Sequence, residues 1–304
     1  MKLVSKLALA ALLAAPCVTP SVSLAQDSAT EPAKYNTGAL TFSGGVDFAT
    51  AYYFRGYLQE NSGAIIQPYF GVATTLVETD DFKLGLSVST WNSIHSENKV
   101  GDADVPGDSN GADVWYENDI YVSLPVSFGK FTVTPSYYLY QYPNGAANTV
   151  HEALLTVAYD DTELWSGLGF KPYDDFAVKP YATVAYEIDD GNGSENGYFE
   201  VGVAPTYTAD VSGYKLPLTF PVALGMGWDN YFTSSDGGND FLGYISAGVQ
   251  TSVPIPESII PAKYGSWAVT GGGYYMNLFS DSAEISNHDS PHVFWGKVGL
   301  TFSY

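Results

Sequence analysis

The single arginine of the chain, Arg55, is the residue whose type and position point most directly to chemistry on a solute. In LTFSGGVDFATAYYFR the residues alternate between apolar and polar, so Asp47, Tyr53 and Arg55 fall on one polar face of an extended strand. On the inner wall of a pore, opposed charges would set up a transverse field that discriminates between permeant solutes. The alternative is a buried ion-pair network that fills and rigidifies a narrow barrel.

Carboxylates on one other strand supply the expected partners for Arg55. In DVWYENDIYV a polar face carries the acids Asp113, Glu117 and Asp119. Alternation places further acids inward at Glu152, Glu187, Glu200 and Asp229, and bases at Lys179 and Lys297. Because the acids outnumber the bases, a lumen lined by them should favour cations or neutral polar solutes over anions. Inward tyrosines, which suit stacking on sugars or nucleosides or simply fill space, are Tyr69, Tyr121, Tyr138, Tyr140, Tyr181 and Tyr244.

Enzyme and metal chemistry find weaker support in the sequence. The tripeptide His288-Asp289-Ser290 is similar to the His-x-Ser of the outer-membrane phospholipase, but Pro291 follows it and the tripeptide falls in a predicted loop. The segments DADVPGDSNGAD and DDGNGSEN offer oxygen ligands for Ca²⁺ without the full spacing of a calcium loop. We therefore predict no catalytic residue, no cofactor and no resident metal, although the acidic loops could attract divalent cations.

The elements that would position these side chains follow a short export segment. Residues 1–25 combine Lys2 and Lys6 with the apolar run LALAALLAA and small residues at 23–25, which is typical of a signal peptide. Residues 26–38 are polar and pattern-free, and we interpret them as a flexible periplasmic lead-in. Beyond them no apolar run reaches the roughly 18–20 residues of a membrane helix. The net charge of −21 argues against nucleic-acid binding.

Alternation with a period of two recurs along residues 39–304 and predicts about twelve strands. In FKLGLSVSTW, Phe82, Leu84 and Val88 share the apolar face. In KLPLTFPVALGMGWD we predict one unbroken apolar row from Leu216 to Trp228, and in FAVKPYATVAYE a strand over 176–187. Membrane strands need about 9–11 residues, as these segments have. Short turns alternate with longer acidic loops, which predicts a single antiparallel transmembrane β-barrel with short periplasmic turns and longer extracellular loops.

The last strand, VFWGKVGLTFSY, carries an apolar row to its final residue. Lipid offers no partner for an open sheet edge, so this strand should close the barrel against the first one. A terminal strand of this kind resembles the signal read by the outer-membrane assembly machinery, formed here by Val298, Leu300, Phe302 and Tyr304. The expected surroundings are outer-membrane lipid and lipopolysaccharide.

Two stretches, TAYYFRGYLQENSGAIIQPYFGVATTL at 50–76 and STWNS at 89–93, resemble the TorF-like porins. The architecture is also similar to the MipA/OmpV-type barrels of Gram-negative bacteria. These resemblances imply a location in the cell outer membrane and a pore whose solutes are mostly undefined. The sequence thus predicts a porin-like channel for passive diffusion of small hydrophilic solutes. A non-conducting structural or scaffold barrel is the alternative, and a lipid-active enzyme is a distant third.

Overall fold

The computed structural model describes residue 36 and residues 38–97, 99–100, 103–104, 114–168, 176–191, 195–212 and 214–304. The predicted signal peptide, nearly all of the predicted lead-in, and Asp113 lie outside these residues. No helix in the described part of the chain is long and apolar enough to cross a bilayer.

Strands dominate the described residues, and the helices are short. The strands are β1 (Leu40–Ala49), β2 (Tyr52–Phe54), β3 (Tyr57–Glu60), β4 (Ile65–Glu78), β5 (Phe82–His95), β6 (Lys99–Val100), β7 (Ala103–Asp104), β8 (Trp115–Ser123), β9 (Val126–Phe128), β10 (Phe131–Gln141), β11 (Val150–Tyr159), β12 (Tyr181–Asp189), β13 (Gly197–Val203), β14 (Thr206–Val211), β15 (Tyr214–Thr219), β16 (Val222–Trp228), β17 (Leu242–Pro254), β18 (Ser266–Leu278) and β19 (His292–Ser303). The helices are α1 (Thr162–Gly167), α2 (Asp281–Ser286) and a 3₁₀ turn at Ala262–Tyr264.

Twelve wall strands close into an antiparallel barrel, as predicted. Their order around the wall is β1, β4, β5, β8 continued by β9, β10, β11, β12, β13, β16, β17, β18 and β19. β19 returns to pair with β1, with Val46 opposite Leu300. Beyond that ladder, Phe42 and Tyr304 exchange two backbone hydrogen bonds of 2.7 Å each. The final residue therefore takes part in closing the wall.

The two ends of the barrel differ in their connections. The end that carries Leu40 and Tyr304, here called the turn end, has connections at 79–81, 129–130, 160–180, 212–213 and 255–265. The opposite end, here called the loop end, has connections at 50–64, 96–114, 142–149, 190–196, 229–241 and 279–291. Most turn-end connections are short. The exceptions are 160–180, which contains α1, and 255–265, which contains the 3₁₀ turn.

Alternation along the wall strands produces an apolar outer face. Phe48 is 51% exposed, Val88 45% and Val298 55%, whereas the adjacent inward Asp47 is 7% exposed. A β-sheet of a soluble protein would bury such a continuous apolar face, whereas a transmembrane barrel presents it to the acyl chains of the lipid. The outward apolar rows are thus the surface that a bilayer would cover.

Two predicted strands differ from the structure. The apolar row from Leu216 to Trp228 is divided into β15 and β16 at Phe220 and Pro221, because a proline has no N–H for the ladder. The predicted strand over 176–187 begins only at Tyr181. Upstream of it, the Asp161 carboxylate accepts the backbone N–H groups of Val178 (3.0 Å) and Lys179 (2.9 Å) and holds that segment in a turn.

The segment after β1 was predicted to continue the wall and does not. Strand β1 ends at Ala49, and residues 52–60 form a separate two-stranded hairpin of β2 and β3, here called the plug hairpin. Tyr52, Tyr53, Arg55, Leu58 and Glu60 of this hairpin are all nearly inaccessible to solvent. Their contacts, given below, place the hairpin inside the barrel at its loop end.

Candidate constriction site

A tight turn at Arg55 and Gly56 forms the tip of the plug hairpin. Both residues have positive φ, 47° and 94°, which is the requirement of a two-residue type I′ hairpin turn. Glycine adopts this conformation without strain, but an arginine seldom does. A Cβ added at Gly56 would lie 3.1 Å from the Tyr244 ring, so the backbone approaches the wall closely at β17. The turn therefore projects the Arg55 side chain across the lumen.

Arg55 is held by a bidentate ion pair to Glu152 on β11. Its Nη1 donates to Glu152 Oε1 at 2.6 Å and its Nη2 to Oε2 at 2.8 Å. Both side chains are nearly fully buried, at 3% and 1% exposure. Planar paired contacts of this kind are among the strong hydrogen bonds of proteins. The plug hairpin, which leaves the wall between β1 and β4, is thereby fastened to the far side of the barrel.

Aromatic rings complete the surroundings of the Arg55 guanidinium. Its carbon lies 4.2 Å from the centre of the Tyr198 ring, 4.9 Å from Phe54 and 5.7 Å from Tyr231. Its Nη1 also donates to the Tyr231 hydroxyl at 3.1 Å. The set of Glu152, Tyr140, Tyr198, Tyr231 and Phe54 is here called the guanidinium cage, Tyr140 donating to Glu152 Oε2 at 2.9 Å. The cage supplies both charge and π faces.

The predicted partners of Arg55 lie elsewhere in the lumen. Glu117 accepts the Tyr52 hydroxyl at 2.6 Å, and Asp119 accepts the hydroxyl of Tyr121. Both acids are buried on β8, whereas Arg55 crosses to β11. The predicted pairing with Glu117 or Asp119 was therefore wrong. The reason is that Arg55 stands on an inserted hairpin instead of the wall, and Asp113 is not among the described residues.

A second buried acid, Glu200 on β13, is satisfied entirely by tyrosines. It accepts the hydroxyl groups of Tyr181 at 2.7 Å, Tyr198 at 2.5 Å and Tyr244 at 2.6 Å. Tyr198 therefore links two sites, because its ring lies against Arg55 and its hydroxyl binds Glu200. Alternation placed Glu200 inward together with Tyr198, two residues away on the same strand, but no sequence spacing indicates the donors Tyr181 and Tyr244 on β12 and β17.

Glu60 and His95 form a third buried polar group, which sequence reasoning missed. His95 Nδ1 lies 3.9 Å from Glu60 Oε2, and its Nε2 is 2.8 Å from Ser93 Oγ. Glu60 Oε1 also accepts the backbone N–H of Ser62 at 2.7 Å. The Glu60–His95 contact joins the base of the plug hairpin to β5, while the other two contacts orient its partners. The only available signal was that His95 falls on the inward face of its strand.

The remaining predicted residues occupy different places. Asp47 pairs with the Lys297 ammonium at 2.8 Å inside the wall, and the Lys297 side chain keeps 39% exposure. Tyr53 donates to Asn287 Oδ1 at 2.9 Å beside α2. Glu187 is half-buried and accepts Asn196 Nδ2 at 2.8 Å. Lys179 precedes β12 in a turn at φ 51°, so its predicted position within a strand was wrong. Asp229, also at positive φ, ends β16 in a turn.

The lumen differs between its two halves. In the loop-end half, inward side chains such as Tyr121, Tyr140 and Ser93 are buried by the plug hairpin and its neighbours. In the turn-end half, many inward side chains are polar and partly exposed; they include Ser87, Ser136, Thr156, Thr183, Gln250 and Lys297. We call this half the vestibule. Hydroxyl pairs cross its wall strands, as between Thr156 and Thr183 at 2.9 Å.

The loop-end surface covers the plug hairpin from outside. The Tyr57 hydroxyl donates to the Tyr231 carbonyl at 2.7 Å and lies 2.8 Å from Ser282 Oγ. Its ring stacks on Phe232 with centres 5.6 Å apart. The connections 229–241 and 279–291 therefore pack on the hairpin from the solvent side. Together they are here called the loop-end cover.

Acidic side chains form hydrogen bonds within the loop-end cover and fix the conformation of its backbone. Asp281 accepts the Ser235 backbone N–H at 2.7 Å, and this hydrogen bond lowers the pKa of the Asp281 carboxyl. The Ser234 hydroxyl, at 2.6 Å, lowers the pKa of Asp236 in the same way. Ca²⁺ ligands were predicted in the segments 102–113 and 189–196, of which residues 102, 105–113 and 192–194 lie outside the described residues. Across the residues that the structure describes, no three side chains of the metal-ligating types are grouped to hold a metal.

Comparison with known proteins finds low similarities to solved structures. No family model matches the chain, and no curated protein matches it. Among solved structures, an outer membrane channel from Pseudomonas putida F1 is 10% identical over 90% of this chain and 100% of that chain, with a TM-score of 0.42. The NanC porin is 11% identical over 87% and 99%, at 0.37. The transport unit of the autotransporter AIDA-I from Escherichia coli is 10% identical over 93% and 96%, at 0.39. Identities this low carry no information on solutes or partners.

Proposed function

We propose that the chain is a Gram-negative outer-membrane channel for small hydrophilic solutes, closed at rest by the plug hairpin. The observation that carries this proposal is the Arg55–Glu152 ion pair, a polar latch that fastens the tip of an inserted hairpin across a lumen. A latch made of charges can be released into water at lower cost than a packed apolar contact of similar extent, because both ions regain hydration. The hairpin is thus suited to leave the lumen.

The vestibule supports a route for solutes beneath the latch. Many of its inward side chains are polar, as a path for hydrophilic solutes requires, and it lies between the plug hairpin and the turn end. The outer face meets lipid, and the proposed orientation places the turn end in the periplasm. On assembly, Val298, Leu300, Phe302 and Tyr304 present the apolar row that the assembly machinery recognises, and lipopolysaccharide surrounds the loop end.

The charges of the lumen determine which solutes the channel prefers. Glu60, Glu117, Asp119, Glu152 and Glu200 are buried in the lumen. Arg55 pairs with one of these five acids, so an open path past them carries excess negative charge. The channel therefore passes cations and neutral polar solutes more readily than anions, with Asp47 and Lys297 lining the vestibule below.

A non-conducting scaffold barrel is the second candidate, and one observation favours it. The plug hairpin is bonded to the loop-end cover, for example through Leu58 N–H to Ser286 Oγ at 3.2 Å and through the Tyr53–Asn287 hydrogen bond. A hairpin held on both sides would stay in place permanently. The two candidates differ only in whether the hairpin ever moves.

Recording of currents in planar bilayers separates the candidates. The wild-type protein should open rarely, and Arg55→Ala should raise the open probability strongly, with a reversal potential biased toward cations in a KCl gradient. The matched control is Lys83→Ala, which removes a positive charge from the turn end, where Lys83 pairs with Glu78 at 3.1 Å. This variant should behave as wild type. Silence from correctly folded Arg55→Ala protein would overturn the channel and favour the scaffold.

A further inference from the structure

The guanidinium cage has the features of a ligand site that the protein fills with its own side chain. Both oxygens of Glu152 meet the two terminal nitrogens of Arg55, and the Tyr198 ring lies over the guanidinium carbon at 4.2 Å. A carboxylate fork and a π face together match a flat, two-pronged cation. A compact ammonium ion cannot make the same paired contacts.

Most of the cage belongs to the barrel wall and does not depend on the plug hairpin. Glu152 stands on β11, Tyr140 on β10 and Tyr198 on β13. The Tyr140 hydroxyl orients Glu152 at 2.9 Å, and Glu200 fixes the Tyr198 hydroxyl at 2.5 Å. Side chains locked in this way on rigid strands keep their geometry when an occupant leaves. Withdrawal of Arg55 would leave Glu152, Tyr140 and Tyr198 arranged around an unfilled cationic position.

We propose that this cage binds small guanidinium solutes and that Arg55 is its tethered occupant. The inference rests on the proposed channel for one point only, namely that solutes reach the cage through the vestibule when the hairpin withdraws. Because a tethered group competes at a high effective concentration, a free solute binds weakly to the wild type and much more tightly once Arg55 is removed. Guanidinium solutes then occupy the constriction and reduce the current through it.

Titration calorimetry of detergent-solubilised Arg55→Ala with methylguanidinium chloride tests the binding without any need for conductance. Saturable binding is expected, and methylammonium at the same ionic strength should bind at least ~10-fold more weakly, because it lacks the paired charged hydrogen bonds. Arg55→Ala/Glu152→Gln should lose the methylguanidinium signal. Arg55→Ala/Glu187→Gln is the matched control, since it removes a half-buried acid of the neighbouring strand that lies outside the cage, and it should keep the signal.

The results separate failure of the site from failure of the channel. Equal binding of methylammonium and methylguanidinium, or binding that survives Glu152→Gln, would overturn the site. Absence of binding to folded Arg55→Ala protein would overturn it as well. Binding that is saturable in a protein without conductance would support the site and reject the channel. If Arg55→Ala does not fold, Arg55→Met, which retains the apolar stem, takes its place with the same expected results.

Discussion

Arg55 and Glu152 join the plug hairpin to the barrel wall, the first from the hairpin between β1 and β4 and the second from β11. This residue pair fastens the tip of the hairpin that fills the loop-end half of the lumen. The contact is specific in geometry as well as charge, because both carboxylate oxygens and one ring face are used. Its consequences can be measured by changing either partner or the hairpin that carries it.

Arg55→Lys should latch the hairpin only in part. A lysine keeps the positive charge but provides neither the two-nitrogen fork for Glu152 nor a flat surface for Tyr198. We expect an open probability between those of the wild type and Arg55→Ala in bilayer recordings. An Arg55→Lys channel indistinguishable from the wild type would show that charge alone holds the hairpin.

Tyr244→Phe should destabilise the folded barrel. Glu200 is buried and accepts three tyrosine hydroxyls, so removal of one leaves a charged acceptor short of a donor. The expected loss in the free energy of unfolding is about 1–3 kcal/mol. Urea unfolding in micelles measures it. Tyr264→Phe, at a 59% exposed position, is the control and should leave the unfolding midpoint unchanged. Equal midpoints for Tyr244→Phe and wild type would contradict the proposed role of the cluster.

Deletion of Tyr304 should impair closure of the barrel. Tyr304 and Phe42 share two backbone hydrogen bonds at the seam, and an open edge has no partner in lipid. The yield of protein that shows the heat-dependent gel shift of folded barrels should fall. Tyr304→Phe keeps the backbone and the ring, and it should fold normally. Undiminished folding of the deletion variant would exclude a role for the final residue in closure.

The barrel itself was predictable from the sequence because its physical cause is local. Alternation along β5 or β19 predicts which side chains face lipid. The sheet must close because the backbone N–H and C=O groups of an open edge would have no partner in lipid. Asp47, Glu152 and Glu200 were placed inward for the same reason. The twelve wall strands and their antiparallel order agree with that prediction.

The site was less predictable because its contacts join distant segments. The plug hairpin has the same alternation as a wall strand, so Tyr53 and Arg55 were assigned to β1, and only the paired positive φ values at Arg55 and Gly56 separate the two cases. An arginine in the sequence does not indicate a positive φ, because arginine seldom adopts one. The donors to Glu200 and the cage around Arg55 likewise depend on which strands meet across the lumen.

The carboxyl of Asp281 should titrate below the ordinary aspartate value. The Ser235 N–H stabilises its charged form in the folded protein, so its pKa is lowered and the contact contributes stability above about pH 4, which is lost as the pH falls through the lowered pKa. Carboxyl ¹³C shifts of labelled aspartate in micelles give the midpoint. Ser235→Pro removes the donor and should return the midpoint toward the ordinary value. A wild-type midpoint at or above about 3.9 would contradict the assignment.

The most direct test of the hairpin as the gate is a reversible cross-link in the Arg55→Ala background. Leu58 and Ser286 are suitable positions, because the Leu58 N–H lies 3.2 Å from Ser286 Oγ and the chain's single cysteine, Cys17, falls in the predicted signal peptide. Arg55→Ala/Leu58→Cys/Ser286→Cys is recorded in bilayers before and after reduction. Silence when oxidised and cation-biased current after reduction is the expected result. Equal current in both states would show that the hairpin does not close the lumen.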